Sequence, residues 1–262
     1  MKKRRMMIYI MISLFLVGLL YLLWENTHFT VTDYEYKNTK VPETMDGLRI
    51  LQISDLHNQS YGKDNRRLLA AIQEINADVI VITGDLIDSS FTNREKGLAF
   101  AAELVKLAPV YYCTGNHEHR LTPKDLRAFL EGLSDLGVHV LSDEAVPFYG
   151  GTLVGLKDPS GRKHTLSRIL RTVDAKGFTL LLSHKPHYFE NYKEADLVLC
   201  GHAHGGQVYL PVVGGLFAPG QGFLPNIPKA FTPRATPLCW SVEASATATA
   251  IPVYSTFRSW SF

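Results

Sequence analysis

Five times along this chain an apolar run climbs to a polar tip of one restricted kind: Asp, His or Asn. Leu48-Arg-Ile-Leu-Gln-Ile-Ser-Asp55 reads on to His57, and Val79-Ile-Val-Ile-Thr-Gly-Asp85 has Asp88 just beyond it. Val110-Tyr-Tyr-Cys-Thr-Gly-Asn116 continues into His117 and Glu118; Phe178-Thr-Leu-Leu-Leu-Ser ends at His184; Asp196-Leu-Val-Leu-Cys-Gly ends at His202 and His204. Short apolar runs rich in β-branched residues read as buried strands. On an extended chain Asp55 and His57, two apart, point to the same side. Taken singly, each tip is an ordinary capping or surface residue. Five such tips in one chain are not what core composition alone produces.

Between the runs lie helical patterns. Gly62 to Asn76 carries Leu68, Leu69, Ile72 and Ile75 at helical spacing; Arg94 to Leu107 is ended by Pro109; Pro123 to Leu136 is stopped by Gly137; Leu166 to Val173 is a fourth. Phe29 to Tyr36, Val138 to Leu141 and Leu153 to Leu156 read as further strands. Strands alternating with helices give an α/β class, largely parallel in its first half. In such sheets sites gather at the carboxyl ends of the strands, where every donor-type residue of this chain falls.

Met6 to Trp24 carries no charge. As a helix it spans about 28 Å, close to the roughly 30 Å apolar thickness of a bilayer. Lys2, Lys3, Arg4 and Arg5 precede it, which puts the N-terminus in the cytoplasm and the body outside, as a single-pass cell-membrane protein. An uncleaved anchor is favoured over a cleaved signal peptide, because no small-x-small site follows Trp24. Arg4-Arg5 also matches the core of a twin-arginine export signal. The net charge of +2 over 262 residues rests partly on that basic flank, and no basic stripe points to nucleic acid. Nothing implies an obligate protein partner. Three cysteines make no disulfide framework, and Cys113 and Cys200 fall inside buried strands as inert small apolar groups.

Asp, His and Asn without thiolates suit Mn, Fe or Zn. A structural zinc takes four donors, and there are too many here for one. Seven candidates fit two ions sharing one carboxylate, an arrangement that activates a bridging water for in-line displacement at phosphorus.

The motifs Asp55-x-His57, Gly84-Asp85-x-x-Asp88, Gly115-Asn116-His117-Glu118, His184 and Gly201-His202-x-His204 resemble those of the calcineurin-like metallophosphoesterases, in order and with similar separations, over roughly Leu48 to Pro225. The resemblance implies a four-layer α-β-β-α sandwich of two mixed sheets. It implies Asp55, His57 and His204 on one metal, Asn116, His184 and His202 on the other, and Asp85 bridging. His117 would stay off the metals, as proton donor to the leaving oxygen or stabiliser of transition-state charge. Asp88 and Glu118 would support the loop or a ligand histidine. The membrane-anchored bacterial branch is the most similar, through Gly62-Lys-Asp-Asn65, Ser183-His-Lys-Pro186 and Gly201-His-Ala-His-Gly-Gly-Gln207. Some members of the wider branch hydrolyse the pyrophosphate of a diacylated UDP-sugar. Nothing in the spacing decides whether Asp158 or His187 faces substrate, and His28, His119, His139 and His164 read as solvated.

The tail departs from that pattern. Residues 241–250, Ser-Val-Glu-Ala-Ser-Ala-Thr-Ala-Thr-Ala, are low in complexity. Each codon can be rebuilt from the last base of the preceding codon and the first two of its own. Residues 239–248 then permit Leu-Val-Ser-Arg-Gly-Leu-Gly-Asn-Ser, and a second segment near Arg258 permits Pro-Glu-Leu-Val; both resemble the family's closing segments. Residues 229–262 are therefore read as out of frame and expected to lack packed strands. The chain divides into a basic flank and anchor (1–25), a linker and first strand (26–47), a metallophosphoesterase domain (48–228) and this tail. The leading reading is an anchored two-metal hydrolase of a phosphate ester or pyrophosphate, with a lipid-linked substrate among the candidates, acting by attack of a metal-bridging hydroxide. The alternatives are an inactive binding or scaffold protein on the same fold, and a non-functional frameshifted product.

Overall fold

The computed structural model describes residues 2–25, 27–29, 31–158, 164–173, 177–202, 209–210, 214–215, 217–218, 222–223, 238–241 and 253–258. Helix α1, Lys2–Glu25, is long and apolar enough to cross a membrane, and the large apolar side chains described between Met6 and Leu20 are exposed. Phe29, expected in the first strand, instead packs its ring edge against Tyr61, centroids 5.0 Å apart. Strand β1 begins later, at Thr32–Lys37.

Four runs of the sequence become the parallel heart of one sheet: β2 (Arg49–Ile53), β3 (Val79–Thr83), β4 (Val110–Cys113) and β5 (His139–Val140). The second sheet holds β6 (Glu144–Phe148), β7 (Gly151–Gly155), β8 (Thr179–Leu182) and β9 (Leu197–Cys200). In it β7, β8 and β9 run parallel and β6 antiparallel to β7. The sequence reading missed β6, which contains Pro147. It lies at the sheet's edge, where a residue with no N–H to donate is tolerated.

Alternation along these strands makes three cores. Ile50, Val79, Val81, Leu153, Leu180, Leu182, Leu197 and Leu199 face one another between the sheets. Leu51, Ile53, Ile80 and Ile82 face outward and are covered by α2 (Arg66–Ile75), α3 (Arg94–Leu104) and α4 (Pro123–Asp135), through Leu68, Phe100 and Phe129. On the other sheet Val154, Leu181 and Val198 are covered by α5 (Thr165–Thr172) through Leu166 and Ile169. The result is the four-layer α-β-β-α sandwich. Truncating a fully buried leucine such as Leu180 or Leu182 to alanine costs about 2–5 kcal/mol.

The expectation for the tail is corrected. Ahead of the tail, within the domain expected over 48–228, lie two short antiparallel pairs: β10 (Tyr209–Leu210) with β11 (Gly214–Gly215), and β12 (Phe217–Ala218) with β13 (Gly222–Phe223). Strand β14, Leu238–Ser241, then lies parallel beside β9. Strand β15, Val253–Arg258, enters the first sheet between β1, to which it is parallel, and β2, to which it is antiparallel. Neither sheet is left with a missing strand at these places. The reason is that a ladder is built from backbone groups, and Val-Tyr-Ser-Thr-Phe-Arg is rich in strand-forming residues. The low-complexity stretch 242–252 lies outside the described residues.

Candidate metal centre

The donors do not sit on the strands themselves. β2 ends at Ile53, β3 at Thr83, β4 at Cys113, β8 at Leu182 and β9 at Cys200, each two or three residues before its donor. Asp55, His57, Asp85 and His202 have φ of 55°, 45°, 50° and 70°. Side chains rarely adopt this left-handed region, and it clusters at functional sites. The expected extended alternation of Asp55 and His57 is therefore replaced by a tight turn that re-aims both side chains. The turns are tied together across the sheet: Asp55 N–H donates to Gly84 O at 3.1 Å, and His57 N–H to Asp85 O at 3.0 Å. Gly115 lies so close to Asp85 that a Cβ there would collide with its carboxylate.

Five strands from two sheets thereby bring their tips to one place. Asp85 Oδ2 lies 3.2 Å from His184 Nε2 and 3.7 Å from His57 Nε2. His57 Nε2 is 3.9 Å from Asp55 Oδ1, and His184 Nε2 is 3.1 Å from Asn116 Oδ1 and 3.2 Å from His202 Nδ1. The backbone N–H of His202 donates to both oxygens of Asp55 at 3.0 Å. Three donor groups result among the described residues, Asp55–His57–Asp85, Asp85–His184–His202 and, towards the rim, His57–Asp88–His117; Asp85 belongs to the first two. His204 lies outside the described residues, as does the side chain of His187.

Electrostatics favours a cation here. Burial pushes the Asp85 carboxyl up, but His184 and His57 outweigh it and hold it well below the carboxylate range. Burial works against a charged His184 imidazole; the Asp85 and Asp55 carboxylates win and raise its pKa to about 10. His202 is held down at about 3 by burial and by the positive His184. A protonated histidine is thus the counter-charge the carboxylates find within the protein. His184 Nδ1 lies 2.8 Å from Thr83 O, so Nδ1–H donates outward and Nε2 is left for a metal. Buried oxygen and imidazole donors around a shared carboxylate fit a pair of divalent ions.

His117 stands at the rim, its ring edge-on to His57 with centroids 4.4 Å apart. Its backbone N–H donates to Asp85 Oδ1 at 2.8 Å, and its Nδ1 accepts the Ser89 N–H at 3.1 Å. Burial lowers its pKa. Asp88 Oδ2 lies 3.5 Å from His57 Nδ1 and 3.2 Å from His117 Nδ1, while its Oδ1 accepts the N–H of Ser90 and Phe91. Burial alone would raise the Asp88 pKa; those backbone donors and the two histidines lower it. Glu118 is fully buried, and its carboxylate accepts the N–H of Asp85, Gly115 and Ile87 at 3.0, 2.8 and 3.3 Å. Burial and the Asp85 charge raise its pKa to about 7.

The sequence reading missed four neighbours of this centre. Ser89 orients His117; the Asp-Ser-Ser turn signal at 88–90 could have found it. Lys185 pairs with Asp158 at 2.8 Å, which turns Asp158 into a buried ion-pair partner. His119, expected to be solvated, is half-buried, with Nε2 2.8 Å from Thr114 Oγ1. Arg120 Nη1 lies 3.0 Å from His117 Nε2.

The family model of the calcineurin-like phosphoesterases matches residues 48–206. A transmembrane protein with metallophosphoesterase domain from Danio rerio is 27% identical over 199 residues, covering 68% of this chain and 45% of its own length. An uncharacterised metallophosphoesterase of Aquifex aeolicus is 29% identical over 195 residues, 71% of this chain and 73% of its own. Bacillus subtilis YkuE, also an uncharacterised metallophosphoesterase, is 27% identical over 207 residues, 73% and 70% respectively. The chain thus spans less than half the length of the Danio rerio protein. With the sandwich, the strand-end donors and the matched span in agreement, this chain belongs to the calcineurin-like phosphoesterase family.

Proposed function

We propose that this protein is a membrane-anchored hydrolase of phosphate esters or pyrophosphates, with its catalytic domain outside the cytoplasm. The observation that carries the reading is Asp85, one carboxylate common to two donor groups. Asp55, His57 and His204 would hold one divalent ion, Asn116, His184 and His202 the second, with Asp85 shared. Mn, Fe and Zn all suit these donors. When bound, such ions supply Lewis-acid activation of water and neutralise charge on the phosphoryl oxygens. The protein's own part is proton delivery and alignment. His117 donates from Nε2 to the leaving oxygen, its ring oriented by Ser89 and Asp88 at Nδ1. Glu118 braces the two loops that carry Asp85 and Asn116.

The anchor reading is supported by α1 and by the basic residues before it. A substrate presented at the bilayer, including a lipid-linked one, is supported by the short connection behind the anchor. Thr27 O accepts Arg67 Nη1 at 3.4 Å, and Phe29 packs on Tyr61. The first contact ties the segment after α1 to the start of α2, and the second ties it to the loop that follows His57. We further propose, from the codon argument, that residues 229–262 are translated out of frame. The coding DNA tests this, and an early stop in the shifted frame removes the idea.

The test of the activity is a metal titration followed by turnover of p-nitrophenyl phosphate, bis-p-nitrophenyl phosphate and lipid-linked pyrophosphates, with Asn116→Ala and His117→Ala as controls. Two ions bound and turnover lost in both variants is the expected result. Two ions bound with no turnover of any phosphate compound would instead favour a binding protein on this fold. No bound metal would refute the two-ion reading.

A further inference from the structure

The apolar helix α1 joins the domain at the end that carries the metal centre, and two separate observations place it there. Strand β1 is parallel to β15, and β15 is antiparallel to β2. β1 therefore runs against β2, β3, β4 and β5 and begins where those strands end. The stretch 26–31 between α1 and β1 reaches at most about 20 Å. Independently, Thr27 O accepts Arg67 Nη1 at 3.4 Å in the first turn of α2, and the Phe29 ring packs on Tyr61. α2, α3 and α4 each follow one of the parallel strands and precede the next, so their first turns stand at this same end, beside the donor loops.

The same end presents an exposed aromatic ring among exposed cations. Phe91, in the loop before α3, is 86% exposed, against about 40% for Val31, Leu107 and Tyr149. A lone exposed apolar side chain is ordinary, but this one is held out by its loop. Asp88 Oδ1 accepts the N–H of Ser90 and Phe91. Asn58 Oδ1 accepts the N–H of Asp88 and Asn93 at 3.0 and 3.2 Å, which fastens the Phe91 loop to the loop that follows His57. Lys63 on that second loop, and Arg66 and Arg67 at the start of α2, are exposed. Arg120 and Lys124 extend the positive charge along the rim; Asp64 and Glu95 oppose it. Arg94 is paired with Asp125, and Lys96 donates to Asn58 O. What sets Phe91, Lys63 and Arg66 apart from other exposed residues is their place beside the exit of α1. Aromatic rings flanked by Lys and Arg suit the boundary between lipid headgroups and acyl chains.

We propose that this end of the domain rests on the bilayer that holds α1, with Phe91 at the boundary of headgroups and acyl chains and Lys63 and Arg66 on the phosphates of anionic phospholipids. This rests on the membrane-anchored reading and extends it. The helix acts as a tether that keeps the face at high effective concentration near the lipid, so a few side chains suffice to dock it. Ser89, two residues before Phe91, bonds the His117 ring at the rim of the metal centre. Docking through Phe91 therefore turns that rim toward the headgroup layer.

The experiment reconstitutes the full chain in vesicles of phosphatidylcholine alone and of phosphatidylcholine mixed with phosphatidylglycerol. An environment-sensitive fluorophore is attached to Phe91→Cys and, as control, to Arg168→Cys, exposed on α5 in the opposite outer layer of the sandwich. Wild type treated with the same reagent gives the background from the native cysteines, and thermal unfolding checks that each variant is folded. Lipids brominated along their acyl chains should quench the label at 91 about threefold or more beyond that at 168. Phosphatidylglycerol should strengthen the quenching at 91, and reversing Lys63→Glu with Arg66→Glu in the same chain should abolish that gain. Equal quenching at 91 and 168 overturns the proposal. Quenching at 91 that ignores both phosphatidylglycerol and the charge reversal overturns the contact with anionic headgroups. Release of the chain by alkaline carbonate removes the anchored reading and this surface with it, whereas a chain that resists carbonate yet shows no excess quenching at 91 removes this proposal alone.

Discussion

Glu118 Oε2 accepts the backbone N–H of Asp85 at 3.0 Å, and the same oxygen accepts that of Gly115 at 2.8 Å. One buried carboxylate thereby locks the loop after β3 to the loop after β4, which carry the shared donor and Asn116. Glu118→Gln keeps the shape but exchanges an acceptor oxygen for an NH2 group that faces backbone donors. It should cost about 10–100-fold in metal affinity and lower the unfolding temperature. Metal titration and thermal unfolding, each with and without manganese, check both effects.

Because Asp85 is the carboxylate common to the Asp55–His57 and His184–His202 groups, its loss should differ in kind from loss of a donor to one ion. Asp85→Asn should reduce bound metal from two ions per chain to none, and turnover by roughly a thousandfold or more. His57→Asn and His204→Ala should each leave one ion. Elemental analysis after gel filtration reads the count. Two ions retained in Asp85→Asn would remove the shared role.

His184 carries a pKa raised to about 10 in the metal-free protein. The folded value lies above the ordinary one of about 6.5. Its contribution to stability is therefore full below about pH 6.5 and lost as pH rises through about 10. Metal needs the neutral imidazole, so apparent metal affinity should rise over the same interval. Urea melts of chelated protein from pH 6 to 10 should show falling stability, and melts with saturating metal should not follow that fall.

A Cβ on Gly115 would collide with the Asp85 carboxylate and its backbone nitrogen. Gly115→Ala should destabilise the fold by about 1–3 kcal/mol as an overpacked site. It should also lower metal affinity by turning Asp85 away. Gly137→Ala is the control: nothing lies within 4 Å of the new carbon, so it carries only the backbone strain of its φ of +91°. Denaturant melts and metal titration of the two variants separate collision from backbone strain.

The apolar runs predicted β2, β3, β4, β8 and β9 and the helices between them, because burial imposes a period that survives in one dimension. β6 escaped because an edge strand with Pro147 lacks that period. β14 and β15 escaped because their places depend on backbone ladders that low-complexity neighbours obscure.

The order of residues alone determined which donors exist, that they follow apolar strands, and which family their motifs resemble. Only the folded chain brought Asp85, whose sharing the motif resemblance had implied, within reach of both groups, aimed the donors of both sheets by left-handed turns at Asp55, His57, Asp85 and His202, and laid Arg120 against His117. The reason is physical. Periodicity records which face of an element is buried, whereas these relationships join residues up to 147 positions apart and arise when two sheets pack and their turns meet.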